Sequence, residues 1–214
     1  MYRLFYYPSN ASLAPHVLLR EIGAPHELVL VDRKQNAQKQ PDYLALNPLG
    51  RIPVLTDGDL VLFETAAICL HLADRHPEAG LAPPPGTAAR STFHKWLIYL
   101  TGTIQTDYLA FYYPERYTTD PSEAARAAVK AATEKRLNAW FDVIEAELSA
   151  NGPWLLGESY SLLDPYLLLM TRWGRGMARP PRTLPAIGRH AAAVFARPAV
   201  QEAVAIEQLP DPVY

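Results

Sequence analysis

A proline- and glycine-rich break at residues 77–86, PEAGLAPPPG, divides this chain into two stretches of different hydrophobic rhythm. Prolines remove backbone donors and clash with helical carbonyls, so neither a helix nor a central strand passes through such a segment. Before the break, strand and helix signals alternate. RLFYY (3–7) is aromatic-rich and strand-like. Ser12 reads as a helix N-cap. Leu13, Val17 and Ile22 then fall near helical spacing, Pro15 is tolerable in a first turn, and Gly23 is a stop. HELVLVD (26–32) predicts a second strand, and a polar stretch then leads to the short apolar piece YLAL. IPVLTDGDLVLF (52–63) reads as a hairpin around Asp57-Gly58, and Glu64-Thr65 opens a helix through AAICLHLADRH. A parallel βαβ unit feeding an antiparallel hairpin predicts a mixed sheet covered by helices.

After the break, strand patterns vanish. Helices are predicted over about 87–112, 121–150 and 161–177, with shorter ones after Pro185 and Pro198. In the second of these, Val129, Leu137, Trp140, Phe141, Ile144 and Leu148 form one apolar stripe with charges opposite. Ser161 and Asp164 make a capping-box-like start for the third. The expected organisation is an α/β domain over 1–78, a linker over 79–88 and an all-helical domain over 89–214.

Composition narrows the function classes. With 214 residues, 49% of them hydrophobic, the chain can build real cores. A formal net charge of −2 argues against a nucleic-acid binder, which carries a basic face. The single cysteine, Cys69, excludes an intrachain disulfide and fits a reducing compartment. MYRLFYYPSN lacks the long apolar core of a secretion signal, and no apolar run approaches the roughly 20 residues of a membrane helix. The expectation is a cytoplasmic protein.

Several chemistries lack their motifs. There is no Cys-x-x-Cys, no phosphate loop and no dinucleotide fingerprint. His71 and His76 are spaced five apart and do not share a helical face, so no metal site is expected. His16 reads as a structural or capping group. Cys69 sits among apolar residues and reads as inert packing.

Three segments together resemble the glutathione S-transferase family: ALNPLGRIPVL (45–55), LFETAAICLHLAD (62–74) and WLLGESYSLLDPYLL (154–168). SLAPHVLLREIG is most similar to its bacterial beta class. The resemblance covers residues 2 to about 207. It implies a thioredoxin-like first domain (βαβαββα), an all-α second domain, glutathione as co-substrate without a metal, and a homodimer.

The family pattern assigns the pieces. Pro53 alone reads as an ordinary turn proline; the resemblance implies a cis Ile52-Pro53 bond that turns the Ile52 backbone toward the cysteinyl part of glutathione, like an added strand. Glu64 and Thr65 alone read as a helix start; the resemblance implies that they hold the γ-glutamyl end, its carboxylate at the helix N-terminus and its ammonium on Glu64. Lys39 and Arg51, as isolated residues surface charges, become candidates for the glycine carboxylate.

The opening loop, YYPSNASLAPH (6–16), would hold the thiolate. A free thiol has a pKa of about 8.5, and lowering it by about two units takes about 2.7 kcal/mol. One or two hydrogen bonds to a charged group, each about 1.5–3 kcal/mol, suffice. The candidate donors are, in order, Asn10, then Ser9 and Ser12, then Tyr6. Asn10 read alone is an Asx-turn residue. The beta class carries its cysteine where this chain has Ala11, so a mixed disulfide is excluded there. In the helical domain Gln105, Tyr108 and Tyr112 are the candidates for an electrophile site, although an aromatic stripe also suits a core. Gln105 and Ile98 stand where beta-like members carry His and Asn.

The expected function is conjugation of glutathione to small apolar electrophiles, or its use to reduce peroxides. The alternatives are a non-catalytic glutathione-binding or scaffold protein of the same fold, and a glutathione-dependent isomerase or dehalogenase. No nucleic-acid or membrane partner is expected.

Overall fold

The computed structural model describes residues 1–214. They form two compact units, Met1–Pro84 with Val194–Val213, and Pro85–Ala193 with Tyr214. The C-terminal stretch thus belongs with the first unit rather than with the helices that precede it.

The first unit contains β1 (Tyr2–Tyr6), α1 (Leu13–Ile22), β2 (His26–Leu30), α2 (Pro41–Leu46), β3 (Val54–Asp57), β4 (Leu60–Phe63) and α3 (Thr65–Arg75). This is the expected βαβαββα order. The sheet runs β2-β1-β3-β4, with β1 and β2 parallel and the other pairs antiparallel. The hairpin loop is Gly58-Asp59, one residue later than the Asp57-Gly58 centre read from sequence, because Asp57 still pairs with Leu60. Gly58 takes the left-handed φ of +59° that this loop needs.

Alternation in β1 sends side chains to both faces. Tyr6 approaches His16 of α1 with ring centroids 6.3 Å apart, whereas Phe5 meets Tyr43 of α2 at 6.1 Å. Val31, Tyr43, Ile52 and Val54 form a buried cluster on the Phe5 face, joined by Tyr7 and Leu46.

Within the first unit, α9 (Pro198–Ile206) packs along α1. Arg197 grips Glu21 through two bonds, at 2.6 and 2.8 Å, and Arg20 meets Glu202 at 3.1 Å.

The second unit is helical: α4 (Ala88–Ile98), α5 (Thr106–Tyr112), α6 (Glu123–Asn151), α7 (Leu163–Trp173) and most of α8 (Pro185–Phe195). The segment expected as one helix over 87–112 is interrupted by a π-helical stretch, Tyr99–Gln105, around Gly102. Of the expected stripe, Leu137, Phe141, Ile144 and Leu148 are buried along α6, whereas Val129 and Trp140 are only partly buried. Asp107 ties α5 to α6, bonding Arg136 and Trp140 Nε1 at 2.8 Å each. At the start of α7 the box expected at Ser161 and Asp164 is present: the buried Asp164 carboxylate accepts the Ser161 N–H at 2.8 Å and also meets His190 at 2.9 Å. No helix is long and apolar enough to cross a membrane.

Candidate functional site

The strand register brings the sequence candidates of the first unit together. Phe5 lies opposite Val54, and Val54 opposite Phe63. Continuing both ladders by one residue sets the end of β1, the Ile52-Pro53 bond and the Glu64-Thr65 helix start at one end of the sheet. That bond is cis. The Ile52 N–H and C=O enter no loop or turn hydrogen bond of the chain.

The segment leading into Ile52 is braced by residues that sequence reasoning passed over. The Arg51 carbonyl accepts from Tyr43 Oη and from Asn47 Nδ2, both at 2.8 Å. Asn47 is buried and also accepts the Leu49 N–H at 3.1 Å. Its position inside the ALNPLGRIPVL motif was the available signal. Lys39 Nζ donates to the Leu49 carbonyl at 3.2 Å. A Cβ on Gly50 would stand 2.7 Å from the Gln38 carbonyl, so the close approach of these loops requires glycine. Lys39 and Arg51 are exposed.

Thr65 is buried at the first position of α3, and Glu64 precedes it, exposed, with φ +74° and ψ 116°. L-residues rarely adopt that backbone, and such outliers concentrate at ligand clamps.

The opening loop sorts its four candidates. Ser12 is fully buried, accepts the Tyr7 N–H at 3.3 Å and donates to the Tyr7 carbonyl at 3.2 Å. The expected N-cap bond is absent because Ser12 itself has helical φ and ψ and its hydroxyl is spent on Tyr7. Tyr6 carries a phenol whose pKa is raised by burial and by the nearby Glu207 carboxylate, so it stays protonated, as a hydrogen-bond donor must. Ser9 takes φ +62° and gives its N–H to Glu207 Oε2 at 3.2 Å. Asn10 is half-buried, and its Oδ1 accepts the Ala11 N–H at 2.8 Å. That bond fixes the amide plane and leaves Nδ2 as a donor with no partner in the chain. Tyr7, also unforeseen, packs against the Ile52 cluster under the Arg33 guanidinium, 5.7 Å from the ring centroid.

Cys69 is buried and its thiol is pushed up by desolvation, so it is inert as a nucleophile. No three His, Cys, Asp or Glu side chains are grouped to hold a metal ion. In the second unit Tyr108 is a core residue and not the wall of a site: it is 1% exposed and donates to the Met170 carbonyl at 2.8 Å. Tyr112 stacks on it and donates to the Trp173 carbonyl, with 46% of its surface exposed. Gln105 is half-buried and accepts from Tyr166 Oη.

Residues 1–74 match the family model described as glutathione S-transferase, N-terminal domain. Across 209 residues the chain is 31% identical to glutathione S-transferase GstA of Escherichia coli O157:H7, covering 97% of this chain and 99% of that protein. The chain belongs to the glutathione S-transferase family. It is also 35% identical to glutathione S-transferase 3 of Zea mays over 210 residues, covering 94% of this chain and 93% of the maize protein. A solved glutathione transferase homolog from Sulfitobacter, with bound glutathione, superposes with a TM-score of 0.88 at 30% identity, covering 98% of this chain and 99% of that one. As a family member, the chain has the thioredoxin-like and helical parts that its sequence predicts.

Proposed function

We propose that this glutathione transferase binds glutathione along the sheet end formed by the 7–12 loop, Ile52-Pro53 and Glu64-Thr65, and delivers its thiolate to a small electrophile. The observation that carries the reading is the register, which supports one extended site for all three peptide parts. The Ile52 backbone pairs with the cysteinyl residue. The N-terminus of α3 and the Glu64 carboxylate take the zwitterionic γ-glutamyl end. Lys39 and Arg51 serve the glycine carboxylate.

At the sulfur, Asn10 is the assigned donor, with Ser9 beside it. The amide holds a thiolate but takes no proton, so the thiol proton leaves to solvent. The sulfur then attacks the electrophilic carbon. A C–S bond forms and the leaving group departs with its electron pair. Lowering the thiol pKa raises the thiolate fraction, and holding the sulfur in place removes part of the orientational cost. In the helical unit, Gln105 and Tyr112 are the partly exposed residues assigned to the electrophile. Exposed Leu60, Val61 and Phe63 on the edge strand β4 support a homodimer.

The test is glutathione titration by calorimetry beside conjugation of an activated aryl halide. Binding with turnover is the expected result. Binding without turnover would convert the reading to a non-catalytic glutathione binder, and absence of binding would overturn the site.

A further inference from the structure

Glu207 lies 198 residues from Ser9 in sequence, just beyond α9, and has no place in the proposed chemistry. Its side chain is nevertheless fully buried, which costs free energy unless each oxygen is matched by a donor. Both are matched inside the first unit. Oε2 accepts the Ser9 N–H at 3.2 Å, and Oε1 meets Nδ1 of the fully buried His16 at 3.0 Å. His16 Nε2 has no hydrogen-bond partner, so the ring is held on one side by Glu207.

Ser9 is where the loop needs holding. A non-glycine residue at φ +62° persists only when its surroundings over-determine it. The next amides are also tied: the Asn10 N–H to the Tyr7 carbonyl at 3.1 Å, and the Ala11 N–H to Asn10 Oδ1 at 2.8 Å. Three successive N–H groups are thereby fixed, and only the first depends on a distant side chain.

We propose that Glu207 is a positioning residue: by accepting the Ser9 N–H it locks the left-handed turn that aims the Asn10 amide at the bound sulfur. His16 keeps the carboxylate in place. This rests on the assignment of the 7–12 loop as the thiolate site.

The test is the bound-thiol pKa, read from thiolate absorbance of the glutathione complex against pH, in wild type and in Glu207→Ala, Glu207→Asp and Glu207→Gln, with Tm measured alongside. Gln keeps an acceptor for Ser9, and His16 adapts by changing tautomer. Positioning predicts a wild-type value for Gln and, for Ala, a rise of about one unit, or tenfold less thiolate well below the pKa. Asp, one methylene short, falls between. Should Ala fail to fold, the Asp and Gln pair decides.

A direct charge effect has the opposite sign, because removing an anion near a thiolate lowers the thiol pKa. A lowered value in Ala and Gln would therefore overturn the proposal. So would a Tm loss in Ala or Asp with the thiol pKa unmoved, which marks a purely structural role. An unshifted thiol in the wild type fails the site assignment itself, whatever the variants do.

Discussion

Asn10 and Ser12 stand two residues apart, and the structure gives them different work. Asn10→Ala deletes one donor to a charged sulfur, worth about 1.5–3 kcal/mol, so the bound-thiol pKa rises by about one to two units. The same titration shows no such rise in Ser12→Ala. That variant instead leaves the Tyr7 N–H without a partner, while the Tyr7 carbonyl keeps the Asn10 N–H, and loses about 1–3 kcal/mol of stability, read as a lower denaturation midpoint. Glu64 reverses the usual pairing of stability with binding. Glu64→Gly relieves backbone strain of about 1–3 kcal/mol at φ +74°, less about 0.5–1 kcal/mol of glycine entropy. Tm rises by about 2–4 °C for each kcal/mol of net relief, while glutathione binds about tenfold more weakly for want of the ammonium partner. His26 is a pH-sensitive point. Its pKa is lowered chiefly by burial, against the Ala24 carbonyl bond that raises it, with His16 and Arg20 lowering it further. The folded chain therefore binds fewer protons there than the unfolded one below about pH 6.5, and its stability falls as pH falls through that range. Denaturation midpoints at pH 7 and pH 5 should differ less in His26→Asn than in wild type.

Among the elements, the loop between α2 and β3 is held by a few specific hydrogen bonds. Asn47→Ala removes one of two donors to the Arg51 carbonyl and orphans the Leu49 N–H. The expected cost is about 2–3 kcal/mol, with weaker glutathione binding; unchanged binding in the folded variant would show that this brace does not shape the site. In this loop the cis Ile52-Pro53 bond is expected only from the family resemblance, because Pro53 alone reads as a turn proline, and the Tyr43 and Asn47 brace gave no separate signal. The strands of the first unit were legible in the sequence, since period-two patterns and a two-residue turn are local signals. The features that escaped were non-local. Ser12 looked like a cap until the structure showed Tyr7 claiming its hydroxyl. Tyr108 looked like part of a substrate stripe, but helix periodicity does not say which side faces the core, and the π-helical stretch shifts the helical phase of α5. Glu207 gave no signal, because nothing in its neighbourhood announces a partner at residue 9.

At the scale of the whole molecule, the first unit is closed by its own C-terminal stretch, so the loop that begins at Tyr7 is supported from residues 194–213. The edge strand β4 remains apolar and exposed, with Leu60, Val61 and Phe63 each 37–42% accessible. A charge there discourages pairing with a second copy. Val61→Arg should move the protein from dimer to monomer in sedimentation velocity; a wild type that already sediments as a monomer contradicts the dimer. The central claim is that the first unit ionises bound glutathione without a cysteine. The most direct measurement is the ultraviolet absorbance of the thiolate in the wild-type complex as a function of pH. The account predicts half-ionisation about one to two units below the free value of about 8.5. A bound thiol that titrates at the free value contradicts it.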